Sequence, residues 1–327
     1  MADGGEGSLE ILNYHLDLKP VELIVNDPLF RPVTSTYFIS NSTAYIEMSS
    51  ASGLVLLKES ERNPMLTSSF GTGELIKDAI NKGLKKINLF IGGSATNDGA
   101  IGIASALGFR FYDSFGNFLS PVGGNLNKID NIDSSKVINN IKDVDIKVFC
   151  DVDSTMFGED GAAFTFAPQK GANFSQVKYL DKGLKNLVSK LSKNDYKNIA
   201  DIPGSGAAGG VGGGAIAFLD AKLVSGIDKI IEVVQLEKQI NNCDLIITGE
   251  GKLDSQTEKG KVISGICRLA KKYKKPVIVV CGYEEKNISK KLGITKVYSI
   301  QDRSNTFTDS INNAGEYLTQ IGSEIFS

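Results

Sequence analysis

The stretch from Lys86 to Gly108, Lys-Ile-Asn-Leu-Phe-Ile-Gly-Gly-Ser-Ala-Thr-Asn-Asp-Gly-Ala-Ile-Gly-Ile-Ala-Ser-Ala-Leu-Gly, constrains the fold more than any other. Ile87 to Ile91 is an apolar run long enough for a buried strand and too short for a helix. Gly92 and Gly93 break it. Ser94, Thr96, Asn97 and Asp98 then offer polar side chains where a helix must start. Ile101, Ala104 and Leu107 recur at helical spacing, and Gly108 can close the helix in a left-handed conformation. A strand joined to a helix N-terminus by glycines presents backbone N–H groups and a positive dipole end, which suits anions. The same residues also satisfy a plain βα turn in which Asp98 only caps the helix.

The chain has 327 residues, 41% of them hydrophobic and 23% charged, enough for two globular domains. A net charge of −2 with no basic block points away from nucleic acid. Cys150, Cys243, Cys267 and Cys281 are far apart and form no CxxC pair, as expected of free thiols in a reducing compartment. His15 is the only histidine, which argues against a Ser-His-Asp triad and a His-rich metal site. No apolar stretch reaches membrane-span length free of Gly or charge, and no signal-peptide pattern is present. The expectation is a cytoplasmic protein without a membrane partner.

The pattern along the chain predicts helices over 8–16, 69–80, 174–191, 230–240, 255–273 and 309–326 and strands over 18–25, 38–48, 145–153, 163–168, 244–248, 277–281 and 296–300. Thr72 is a candidate cap for the second helix, and Ser255 with Glu258 fits a capping box. The segment 113–143 is turn-rich, either a hairpin with a long loop or a surface excursion. From Gly204 to Gly214 seven of eleven residues are glycine, read as a loop running into the helix through Ile216 and Phe218. Alternating strands and helices towards the C-terminus imply a parallel sheet, whose ligands bind beyond the strands' carboxyl ends.

Five glycine-rich or acidic clusters fall at such positions: Asp3-Gly4-Gly5-Glu6-Gly7, Gly92 to Asp98, Asp151 with Asp153, Gly204 to Gly214, and Gly249 to Thr257. Together they suggest a shared cleft of backbone N–H groups and carboxylates, suited to an anionic ligand with Mg²⁺. GxxxxGK[ST] is absent, and the Gly-rich runs do not match a GxGxxG turn followed at the right distance by an acidic residue, so a P-loop is excluded and an NAD(P) enzyme disfavoured. Asp151 directly follows the apolar Val148-Phe149-Cys150. A carboxylate at the mouth of a buried strand is the hardest of these residues to read as surface charge.

The segments Ile91-Gly-Gly-Ser-Ala-Thr-Asn-Asp-Gly-Ala, Ala167-Pro-Gln-Lys-Gly-Ala, Pro203-Gly-Ser-Gly-Ala-Ala-Gly-Gly-Val-Gly-Gly-Gly and Asp244-Leu-Ile-Ile-Thr-Gly-Glu-Gly-Lys-Leu-Asp-Ser-Gln-Thr together resemble the type I glycerate kinases, the glycerate 2-kinase family. Ala2-Asp-Gly-Gly-Glu-Gly, Ser69-Phe-Gly-Thr-Gly-Glu-Leu-Ile and Cys150-Asp-Val agree, and the motifs keep family order over nearly the whole chain. The resemblance implies ATP-dependent, Mg²⁺-assisted phosphorylation of D-glycerate to 2-phosphoglycerate. It also implies two α/β domains with the site in the cleft between them. One is a Rossmann-like parallel-sheet domain built from both chain ends (residues 1–24 and 225–327), and the other is an inserted mixed α/β domain (25–224). A monomer or homodimer is expected.

On that reading Asp151 is the general base and Lys170 assists in catalysis by offsetting phosphate charge. Asp3, Gly4, Gly5, Glu6, Gly92, Gly93, Ser94, Thr96, Asn97, Asp98, Gly204, Ser205, Gly206, Gly209 and Gly210 hold substrate or phosphate. Gly249, Glu250, Gly251, Asp254, Ser255, Gln256 and Thr257 hold the nucleotide, with Glu250 and Asp254 as metal ligands. Two departures stand out. Ser154-Thr155 replaces the family's usual Asn-Pro, and the family's first strand and helix, with an Asp-Ser-(Phe/Tyr)-Lys type turn, are not found ahead of Ala2. The second departure leaves an alternative expectation, a truncated, catalytically impaired homologue that only binds nucleotide or ligand.

Overall fold

The computed structural model describes residues 8–194, 196–254, 257 and 262–326. Asp3, Gly4, Gly5, Glu6, Ser255 and Gln256, and with them the Ser255–Glu258 capping box, lie outside the described residues. The chain divides after Gly226 into two compact units, each α/β.

The larger unit is built on a six-stranded sheet of order β1-β2-β3-β4-β7-β8: β1 Lys19–Asn26, β2 Pro32–Ser40, β3 Thr43–Glu47, β4 Lys86–Phe90, β7 Asp145–Phe149 and β8 Lys222–Val224. The first three strands form an antiparallel meander. Asn41 and Ser42 both take positive φ in the two-residue turn between β2 and β3, the conformation that matches strand twist. From β3 onward every pairing is parallel. Two short strands, β5 Arg110–Tyr112 and β6 Asn131–Asp133, form the hairpin that carries the turn-rich excursion. The helices of this unit are α1 Ser8–His15, α2 Ser49–Ser52, α3 Phe70–Asn81, α4 Ile101–Ala106, α5 Ala162–Phe166, α6 Phe174–Lys193 and α7 Ala207–Leu219. One continuous core joins α2 to α7, with Ile87, Leu89, Ile146, Val148, Leu184 and Val211 among its fully buried members.

The smaller unit holds a three-stranded parallel sheet of order β11-β10-β9, with β9 Ile246–Leu253, β10 Val277–Glu284 and β11 Lys296–Ser299. Its helices are α8 Gly226–Val233, α9 Leu236–Asn242, α10 Val262–Tyr273, α11 Ile288–Leu292, α12 Phe307–Asn312 and α13 Ala314–Ile325. Val277, Val279 and Cys281 of β10 pack with Ile263 and Ile266 of α10, while Ile278 and Val280 pack towards Ile321 of α13. These alternating residues give the sheet two apolar faces.

Several expectations are corrected. Residues 19–24 do not join the C-terminal unit, because β1 pairs with β2 along its whole length. Residues 163–168 are not a strand. Ala162 and Ala163 of α5 and its C-cap Ala167 are buried, and alanine favours helix over sheet. The helix expected over 230–240 is two, broken at Gln235 with φ +50. The helix expected over 309–326 is also two, parted at Asn313. Gly249, Glu250 and Gly251 do not follow β9 but lie within it.

Candidate functional site

Strands β4 and β7 are parallel neighbours in register, Phe90 beside Phe149, with the two rings stacked at 4.7 Å. Their carboxyl ends release the Gly92–Asp98 turn and Asp151 side by side. Asp151 Oδ1 accepts hydrogen bonds from Ser225 Oγ at 2.9 Å and from the Gly226 backbone N–H at 3.0 Å, both just beyond β8. Three adjacent parallel strands thus converge on one half-buried carboxylate, at the edge where parallel sheets bind ligands. Asp153 is exposed, and burial pushes the neighbouring Cys150 thiol up to about 11.

The turn is rigidly held. Leu54 N–H donates to Gly93 O and Ala95 N–H to Ser52 O, tying it to α2. Gly93 takes φ +71, which glycine adopts without strain. Asp98 is fully buried and binds two helix starts at once: it accepts from Ser69 N (2.8 Å) and Ser69 Oγ (2.7 Å) ahead of α3, and from Ala100 N and Gly102 N (both 3.2 Å) at α4. Burial raises its pKa and these four bonds oppose the rise. The capping reading of Asp98 therefore holds, extended to a second helix. Thr72 is not a cap: it lies inside α3, and its hydroxyl meets that of Ser52 at 2.8 Å.

Lys170 is 2% exposed. Its Nζ donates to Ser94 Oγ at 2.8 Å and to Thr96 O at 2.6 Å, so the ammonium clamps the turn from beneath. Burial pushes its pKa down to about 7, with Asp98 pulling the other way. Thr96 Oγ1, both amide atoms of Asn97, Ser154 Oγ and Ser205 Oγ are buried without hydrogen-bond partners. Such groups are costly unless something satisfies them.

The glycine-rich segment is not an open loop. Gly212, Gly213 and Gly214 are helical residues of α7, and Ala208, Gly209 and Gly210 form a left-handed kink inside it. Gly204, Ser205, Gly206, Gly209 and Gly210 are all buried. A Cβ on Gly209 would sit 2.1 Å from Thr96 O, and one on Gly206 2.0 Å from Thr155 O. Gly99 N–H donates to Gly209 O at 3.0 Å. Of the two reasons for clustered glycines, approach of a ligand or of another backbone, the second accounts for these contacts. The second, third and fourth sequence clusters are thus brought together within the larger unit. Sequence reasoning passed over Thr67 and Ser68 and read Ser69 only as the start of a helix and of a motif; all three side chains are fully buried here, and Thr67 Oγ1 donates to Ala95 O at 2.9 Å. A run of three small hydroxyl residues ahead of an apolar helix was the available signal.

The fifth cluster lies in the smaller unit. Thr257 Oγ1 donates to Glu250 Oε1 at 2.6 Å and accepts from Asp254 N at 3.1 Å, while Lys252 pairs with Asp254 at 3.1 Å. A cavity of about 1070 Å³ opens along this strand, with Gly249, Glu250 and Gly251 on one wall and Phe307, Ile311 and Leu318 of α12 and α13 on the other. Among the described residues no three His, Cys, Asp or Glu side chains form a metal cluster. Two carboxylates on one short segment still suit Mg²⁺, which takes one or two protein carboxylates and draws its other ligands from phosphate and water. No described helix is long and apolar enough to cross a membrane.

Comparison with known proteins places these features. The glycerate kinase family model matches residues 1–327. Glycerate 2-kinase of Escherichia coli K12 is 39% identical over 329 residues, 99% of this chain and 86% of the relative. A glycerate kinase of Halalkalibacterium halodurans is 42% identical over 284 residues, 86% of this chain and 75% of the relative. A crystal structure attributed to a glycerate kinase 2 from Salmonella typhimurium LT2 superposes with a TM-score of 0.76 at 38% identity, covering 91% of this chain and 79% of that one. These matches lend no support to a merely ligand-binding remnant. The chain belongs to the glycerate kinase family.

Proposed function

We propose that this enzyme transfers the γ-phosphoryl group of ATP to the 2-hydroxyl of D-glycerate. The observation that carries the reading is Asp151, fixed by Ser225 and Gly226 beside the Gly92–Asp98 turn. Phosphoryl transfer depends on positioning and charge neutralisation more than on covalent chemistry. Asp151 takes the proton of the attacking hydroxyl. Gly92 and Gly93, the least buried part of the turn, offer backbone N–H groups to phosphate or carboxylate oxygens. Lys170 and Asp98 spend their hydrogen bonds within the protein and act through the turn: Lys170 holds Ser94 and Thr96, and Asp98 ties the turn to Ser69 and to the start of α4. The partnerless Asn97 and Ser205 groups would supply further donors to bound substrate.

The nucleotide reading rests on the smaller unit. Its apolar cavity beside Glu250 suits a purine base, and Glu250 and Asp254 would hold Mg²⁺. The ion neutralises phosphate charge when bound. The test is Asp151→Asn in a coupled ADP-release assay with glycerate. Turnover should fall about 10²–10⁴-fold with an unchanged circular dichroism spectrum; near-normal turnover removes Asp151 from the chemistry. Direct consumption of the product by enolase, without added mutase, distinguishes the 2-phosphate from the 3-phosphate.

A further inference from the structure

The larger unit carries a second cavity, of about 590 Å³, that none of the five clusters touches. It lies where the β1–β2 turn, α3, the end of α4 and the β5–β6 hairpin meet. Its walls combine aromatic rings with cations, and no carboxylate lines it. We propose that this cavity, framed by Phe30, Phe70, Phe118, Lys77, Arg110 and Lys136, is a separate ligand site for a small aryl anion, a phosphate or carboxylate carried on an aromatic ring.

The aromatic half is held open by the backbone. Phe30 takes φ +62, a left-handed conformation that is strained for a bulky side chain. Asp27, 5% exposed, holds this turn by accepting from Leu29 N at 2.8 Å and Arg31 N at 2.9 Å. The Phe30 ring is thereby set 5.9 Å from that of Phe70. Phe30 and Phe118 remain 40% and 58% exposed, an apolar surface that a ring would cover.

The cationic half is unusual for a chain whose net charge is −2. Lys77, Arg110 and Lys136 come from three separate elements and form no ion pair among the described residues. Asp133 lies opposite Arg110 in the β5–β6 register. Its pKa is lowered first by its bonds with Ser135 and then by Arg110 and Lys136, and it leaves a net positive charge at the cavity. Lys136 is brought in by close packing at Gly108, where a Cβ would lie 2.1 Å from Lys136 O. Ser105 Oγ, at the same cavity, is buried without a partner. An anion alone would leave the rings exposed, and an apolar ligand alone would leave three cations and a hydroxyl unanswered.

The probe is phenyl phosphate, titrated calorimetrically, with inorganic phosphate and phenol as controls. Binding at about millimolar Kd is expected, with each control at least about tenfold weaker. Arg110→Glu and Lys136→Glu, both at exposed positions, should each weaken the probe about tenfold or more and leave glycerate turnover unchanged. Three results overturn the proposal: no binding by the wild type, equal affinity in both variants, or inorganic phosphate binding as tightly as the aryl ester. A dimer in sedimentation that Arg110→Glu splits, with no probe bound, makes this face a subunit interface and also overturns it.

Discussion

Replacing Lys170 by methionine separates the cost of burying the clamp from its use. Two effects oppose each other. The variant leaves Ser94 Oγ and Thr96 O without their buried donor, at about 1–3 kcal/mol each. It also removes an amine that burial has driven from 10.5 down to about 7, which relieves about 5 kcal/mol at pH 7. The two nearly cancel at neutral pH, so the variant should fold with stability within about 2 kcal/mol of the wild type. The balance changes with pH. Between about 7 and 10.5 the folded wild type holds fewer protons than its unfolded chain, so the lysine's contribution to stability rises with pH across that window. Methionine has no such dependence. The wild type should therefore gain on the variant by about 3 kcal/mol between pH 7 and about pH 9.5. Urea denaturation at a series of pH values reads this difference. Turnover of glycerate should fall about 10²-fold, because the turn loses its clamp. A stability difference that is flat with pH would refute the reasoning, and so would a variant of full activity.

The other predictions follow from the same turn and its neighbours. Asn97→Leu replaces a buried amide that has no partner, so the melting temperature should hold or rise while kcat/KM for glycerate drops about 10²-fold. Equal activity would mean the amide meets no substrate. Gly209→Ala puts a methyl 2.1 Å from Thr96 O at φ +71 and should cost about 2–4 kcal/mol. Gly83→Ala, also at positive φ but with nothing within 4 Å, should cost only about 1 kcal/mol, which thermal unfolding can compare. Thr257→Val frees Glu250 from its 2.6 Å hydrogen bond and should raise the KM for Mg-ATP about tenfold without moving that for glycerate.

The strand, turn and helix of residues 86–108 were legible because their determinants are local: an apolar run, two glycines, polar caps and helical spacing. The glycine clusters were legible as clusters, and β7 was legible from its apolar Val148-Phe149, although it stops at Phe149 rather than at the expected residue 153. Elements failed where neighbours decided. Strand β9 runs on through Gly249-Glu250-Gly251 because β10 pairs with it to Glu284, a contact no local pattern encodes. Residues 19–24 belong to the larger unit because β2, eight or more residues on, supplies their hydrogen bonds.

The sequence by itself determined an α/β chain with polar turns at strand ends and a family-specific order of motifs. Tertiary structure alone decided what each polar group does. Lys170 stands in an unremarkable Pro-Gln-Lys-Gly, and only its fully buried place under Thr96 turns a surface-type residue into a clamp. Gly209 and Gly214 could have faced a ligand; the backbone of Thr96 to Gly99 fills that space instead. The reason is physical. Burial sets whether a charge is solvated or desolvated, and burial depends on residues brought close from 70 or more positions away, as Lys170 is to Ser94 and Thr96.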